Sequence, residues 1–176
     1  YAGGELKHGP LALVEEGKEL RDAGIRIPIL VLSEPRPSEM VEVVESELVP
    51  TVYSGAGISA AAAAASSSDT NLKVHLKVDT GMRRVGVEPE FAVTVAKSIN
   101  ERPSLSLDGI WTHCAVADEP DNPFTDKQLS IFEKVLAEYE EARVSVTLRH
   151  AANSALSINK PEGRYDMVRC GLVTYG

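Results

Sequence analysis

Little in this sequence points to an oxidising or membrane setting. Its 176 residues include two cysteines. Cys114 and Cys170 lie far apart and outside any CxxC pattern, so neither a disulfide framework nor a zinc ribbon is expected, and a reducing cytoplasm is the simpler home. No run approaches the ~20 apolar residues of a membrane span, and no charged-then-apolar leader precedes the first elements. Basic residues number 18 against 26 acidic ones, for a net charge of −8. Phosphate backbones are held by clustered Lys and Arg, so no nucleic-acid partner is expected, although a local site for a small anion is not excluded. Nor does any apolar run lead into the glycine-rich turn of a dinucleotide site.

What is present is patterning for one sizeable core, with 43% hydrophobic residues. That prior favours a single domain. Residues 1–10, Gly-rich and of mixed charge, read as an irregular tail, and 11–176 as the folded domain. Apolar runs suited to strands stand at 11–14, 28–32, 49–53, 73–78, 107–112, 144–148 and 167–168. Helical stretches separate them. EEGKELRDAG closes at Gly24, and a helix near Pro37-Ser38 carries Met40, Val43 and Val44. GAGISAAAAAASSSD follows, then a helix opened by Pro89 with Phe91, Val95 and Ile99 on one face. Leu129, Phe132, Leu136 and Tyr139 mark a long helix after Pro123, and AANSALSI a short one. Strict strand–helix alternation implies a parallel sheet with helices on its faces. Short strands without a dinucleotide turn favour an α/β fold of the TIM (β/α)8 type, incomplete by its first unit. The chain neither starts with Met nor extends past the apolar run ending at Tyr175-Gly176. A slice of a longer protein is therefore expected.

In such a barrel the chemistry sits at the C-terminal strand ends. Those ends carry Lys77 and Asp79, Thr112-His113, Arg149-His150 and Arg169, an excess of Lys, His and Arg that is costly in a barrel interior unless paired. The loops after the last two strands are the usual phosphate site, and Ser154 with the amides around Gly171 and Leu172 suits an anion there. An N-capping serine and a glycine turn would leave the same trace. Metal ligation by His113, His150, Cys114, Cys170 and Asp79 is not expected. Neighbouring His113 and Cys114 cannot both point inward from one strand, no HxH or HExxH spacing occurs, and Arg84 and Arg169 would repel a cation.

Four segments, KVDTGMRRVGV, THCAVADEPD, HAANSA and YDMVRCGLVTYG, resemble in order the signature segments of the alanine racemase family, fold-type III pyridoxal phosphate enzymes. The likeness runs from about Leu11 to Gly176. It implies that Lys77 corresponds to a barrel lysine that is often carbamylated, whose carbamate would hold Arg84 beside the cofactor. His113 matches the histidine at the pyridine ring, and His150 one that orients the next arginine. Asn153, Ser154, Gly171 and Leu172 fall in the phosphate-binding segments, and Arg169 faces the pyridine nitrogen. A guanidinium stays protonated and only donates, so the ring nitrogen would remain an acceptor and the ring a weaker electron sink than beside an aspartate. The resemblance further implies L- and D-alanine as substrates, D-alanine supply for the cell wall, and a homodimeric parent.

Two departures matter. The family's cofactor-bearing lysine, in a K-A-(D/N)-x-Y-G-H-G context on the first strand, has no match, and the C-terminal β domain that supplies a tyrosine base has none either. Because two-sided proton transfer needs a base on each face of the α-carbon, the 176-residue chain alone is expected to be inactive. Arg83, Cys114, Cys170 and Thr174 also stand where the family has other residues. Two alternatives are a racemase of another small amino acid, such as serine, and a non-catalytic module that binds the cofactor.

Overall fold

The structure, a computed structural model, describes residues 9–11 and 13–175. Its strands are β1 (Gly9–Leu11), β2 (Ile29–Val31), β3 (Leu48–Val52), β4 (Leu72–Lys77), β5 (Leu105–Trp111) and β6 (Leu148–His150). They alternate with helices α1 (Val14–Asp22), α2 (Met40–Glu45), α3 (Gly55–Ser67), α4 (Ala92–Asn100), α5 (Phe124–Glu141), α6 (Ser154–Asn159) and α7 (Leu172–Tyr175). The strand order is sequential, β1 through β6, and the pairs β1–β2, β2–β3 and β5–β6 are parallel. Sequential order belongs to a TIM-type barrel; a doubly wound sheet reverses its order at a switch point. The fold is therefore an incomplete (β/α)8 barrel. By its contacts the chain forms two compact units, the described residues up to Val74 with Arg102–Ser106, and His75–Glu101 with the residues from Leu107 onward.

In the first unit, α1 ends in a left-handed turn at Gly24 (φ 88°). The amides of Gly24 and Ile25 return to Arg21 and Leu20 there, satisfying carbonyls the helix leaves open. Arg21 then donates to the carbonyls of Ser46, Ile25, Ile27 and Glu47, tying the end of α1 to the turn before β3. The alanine run of α3 buries Gly57, Ile58, Ala61, Ala64 and Ala65, and these small side chains let the helix lie close to its neighbours. Ser54 caps it, its hydroxyl accepting from the Gly57 amide at 2.9 Å.

In the second unit, Leu129, Phe132, Leu136 and Tyr139 form the buried stripe of α5, and the Tyr139 hydroxyl donates to the Ala92 carbonyl at 3.1 Å. Three expectations need correction. The strand expected over 144–148 starts only at Leu148. Arg143 (φ 55°) is the left-handed residue that ends α5, and the Val144 amide bonds back to Tyr139 at 2.8 Å. Val144 is thus used to close a helix. No strand forms at 167–168; a single bridge, Asn153 to Arg169, stands in its place. Phe91 is 52% exposed, because Pro89–Phe91 is a 3-10 turn and Ala92, Ala96 and Ile99 form the buried face of α4. Most of the tail expected over 1–10 lies outside the described residues, and its last two residues, Gly9 and Pro10, belong to β1.

Candidate functional site

β4 is the source of the site. Alternation along the strand places Lys73, His75 and Lys77 on one face. Lys73 is exposed, whereas His75 and Lys77 are 2% and 3% exposed. A buried lysine must be paired or partly neutral. Here burial, and then the charges of Arg84 and Arg169, pull Lys77 down to about 8. Its Nζ lies 4.5 Å from the centre of the Trp111 ring at the end of β5. The Arg169 guanidinium carbon sits at the same distance from that ring, and the His150 ring stacks on it at 5.5 Å and 11°.

Arg169, at the single bridge that replaces the expected last strand, is 5% exposed. Its Nη1 donates to His150 Nδ1 at 2.7 Å, and its Nη2 to the carbonyls of Thr112 and Ala151 at 2.8 and 2.9 Å. Nη2 also lies 3.5 Å from His113 Nδ1. Every one of these partners is neutral, so the guanidinium is held without a carboxylate among the described residues. Burial lowers it to about 9, still a cation at neutral pH. His113 is half-buried and held down to about 4 by burial and by the charges of Arg169, Lys77 and Arg84, so its ring is neutral.

The turn after β4 is built by Asp79, whose Oδ1 accepts the amides of Gly81 and Arg83 at 2.9 and 3.0 Å, an Asx turn. Thr80 pairs with Thr112 at 2.7 Å. Fully buried Gln128 of α5 accepts from the Ala115 amide and donates to the His113 carbonyl and Thr80. One side chain thereby fixes the loops after β4 and β5. Arg84 is exposed and bears on Lys77 and His113 through its charge.

The expected site residues thus divide. Lys77, His113, His150 and Arg169 share one cluster. Arg149, counted among the strand-end cations, instead turns outward into a two-point ion pair with Asp166, 2.8 and 3.2 Å. The cap of α6 is Asn153, whose Oδ1 accepts from the Leu156 amide at 3.0 Å; Ser154 accepts from the Val173 amide at 3.2 Å. Gly171 and Leu172 are exposed at the start of α7, with open space around Gly171. Cys114 is buried and its thiol pushed up to about 11, while Cys170 contacts Ser157 at 3.5 Å. Sequence reasoning missed His75, Trp111 and Gln128. Only His75 left a legible sign, two residues before Lys77 and so on the same strand face.

Residues 4–176 match the family model described as alanine racemase, N-terminal domain. The chain is 39% identical over 168 residues to an alanine racemase of Halothermothrix orenii, covering 94% of this chain and 44% of that protein. It is 40% identical over 169 residues to one of Treponema denticola, covering 94% and 45%. Among solved structures, the alanine racemase of Clostridium difficile 630 in complex with cycloserine superposes with a TM-score of 0.94 at 32% identity, over 98% of this chain and 48% of that one. The Bacillus anthracis enzyme with bound L-Ala-P gives 0.87 at 32%, over 95% and 43%. The chain spans under half the length of these relatives, and over nearly all of its own length it belongs to the alanine racemase family, as an N-terminal barrel domain.

Proposed function

We propose that this chain is the cofactor-holding barrel of a cytoplasmic, homodimeric alanine racemase that uses pyridoxal 5′-phosphate to interconvert L- and D-alanine, supplying D-alanine for the cell wall. The observation that carries the reading is Arg169, a buried guanidinium whose described partners are all neutral acceptors. It lies beside the neutral ring of His113, whose Nδ1 is 3.5 Å from Nη2. A donor that cannot accept suits an unprotonated pyridine nitrogen.

The other residues fit the same group. The Ser154 hydroxyl accepts from Val173 and keeps its own proton for a phosphate oxygen. In the first turn of α7 the Val173 amide goes to Ser154 and the Thr174 amide to the Gly171 carbonyl, so the amide on offer to an anion is that of Leu172, next to the open space at Gly171. His113 offers a ring face. Lys77 and Arg84 add positive charge, so an anionic group is favoured over a cation. When bound, the cofactor supplies an electron sink for removal of the substrate's α-proton. Arg169 would keep that sink weak by donating to the ring nitrogen without protonating it, which would favour reprotonation at the α-carbon over transfer of the amino group.

The test is conversion of L-alanine to D-alanine by the whole protein to which this segment belongs, with pyridoxal phosphate supplied. Saturable conversion that Arg169→Leu slows supports the reading. No conversion by well-folded protein, or conversion indifferent to that substitution, overturns it.

A further inference from the structure

The hydrogen-bond chain behind Arg169 continues past His150. His150 Nε2 lies 2.9 Å from Nδ1 of His75, and Nε2 of His75 lies 3.9 Å from a carboxylate oxygen of Asp108. His75 is 2% exposed and His150 is fully buried, so bulk water does not settle their protonation. The order of donors does. Arginine has no acceptor, so at the 2.7 Å contact His150 Nδ1 must accept. A neutral imidazole accepting at Nδ1 carries its proton on Nε2, and that nitrogen faces His75 Nδ1 at 2.9 Å. His75 is then an acceptor at Nδ1, carries its own proton on Nε2, and turns it toward Asp108. The reverse assignment fails. A proton on His75 Nδ1 would face the proton on His150 Nε2 across 2.9 Å, and would need a His150 that accepts at both nitrogens. Two imidazoles thus run in one direction between a buried cation and a carboxylate.

A second observation, independent of any hydrogen bond, shows that the fold makes room for His75. A Cβ at Gly109 on β5 would lie 2.5, 2.6 and 2.8 Å from the His75 ring atoms Cε1, Nδ1 and Cγ. Gly109 does not take a left-handed backbone conformation, so the glycine serves this close approach and not a turn. Trp111, two residues along the same strand, covers the other member of the pair by stacking on His150.

We infer that His75 is a positioning residue for Arg169: with Asp108 behind it and Gly109 making space, it holds His150 as the Nε2–H tautomer whose Nδ1 accepts from the guanidinium. This deepens the proposed function and rests on it for the meaning of Arg169, but the tautomer chain itself exists or fails without any cofactor. The experiment is imidazole 15N–1H correlation spectroscopy of the histidine-labelled 176-residue chain, read together with exchange of the Arg169 guanidinium protons. Wild type is expected to show His75 and His150 as single neutral Nε2–H tautomers and slow guanidinium exchange. Gly109→Ala, which displaces the His75 ring without removing a titratable group, is expected to release both signatures, with guanidinium exchange at least tenfold faster. His75→Leu does the same. His75→Asn, whose Oδ1 can accept where Nδ1 did, restores the His150 tautomer. A wild-type His150 with its proton on Nδ1, or averaging between tautomers, overturns the inference and needs no variant to fold. So does a folded Gly109→Ala or His75→Leu that leaves His150 and Arg169 unchanged. None of these outcomes depends on whether the protein racemises alanine.

Discussion

The ammonium of Lys77 lies over the Trp111 ring, 4.5 Å from its centre. Cation–π attraction is worth on the order of 2 kcal/mol when desolvated. That is too little to offset burial next to two arginines, and Lys77 accordingly falls from 10.5 to about 8. Between those two values the unfolded chain holds a proton that the folded chain has released, so the lysine's contribution to stability rises with pH across that window.

Lys77→Met removes that dependence. The difference in melting temperature, variant minus wild type, is expected to shrink steadily from pH 8 to pH 10.5. The rise of Cys114 toward 11 acts in both proteins and cancels in the difference. A difference that stays constant over this range would mean that Lys77 is charged and fully compensated in the folded state.

His113 gives a second window with the same sign and a different range. Its pKa is lowered from 6.5 to about 4, so between these values the unfolded chain binds the extra proton and stability falls as the solution is acidified from pH 6.5 to pH 4. His113→Gln should flatten this part of the profile. In wild type, NMR titration should find the His113 ring still neutral at pH 5.5.

Two glycines separate backbone need from ligand access. Gly86 has φ 135°, and a Cβ there would lie 2.7 Å from the Asp79 amide nitrogen, beside the bridge of Val78 to Val87 that closes the turn after β4. Gly86→Ala is expected to cost about 1–3 kcal/mol from conformational strain alone, measured by denaturant unfolding. Gly171→Ala adds a methyl to open space and should leave stability within about 0.5 kcal/mol of wild type. Equal losses at the two positions would contradict this account of the turn.

The site was legible where strand periodicity and motif order coincide. Lys77, His113 and His150 each stand at or just after a strand end, Arg169 stands at the single bridge to Asn153, and the family likeness in KVDTGMRRVGV and YDMVRCGLVTYG fixed their order. Val144 was misread because β-branched apolar runs suit both strands and helix closures, and only the left-handed Arg143 distinguishes them. Phe91 was misread because a 3-10 turn shifts the register of the helix that follows it. His75 shows in the sequence only by its place on the Lys77 face of the strand, and its part emerges once Gly109 and His150 are brought against it. Gln128 acts through contacts 13, 15 and 48 residues away in sequence, and Trp111 through residues of neighbouring elements, which no local pattern encodes.

The most direct measurement of the central claim, that this barrel holds a phosphate-bearing pyridine ring beside Arg169, uses the single tryptophan. Trp111 sits against Arg169 and His150, so its fluorescence reports on the site. The probe is pyridoxine 5′-phosphate, which keeps the ring and the phosphate but has no aldehyde to react with surface lysines. Saturable quenching is expected in the wild-type chain, with no comparable effect from pyridoxine. Ser154→Ala should weaken binding roughly tenfold or more, the equivalent of about 1.5–3 kcal/mol for a hydrogen bond to a charged group. Quenching that never saturates, or that is the same with pyridoxine or in Ser154→Ala, would contradict the account.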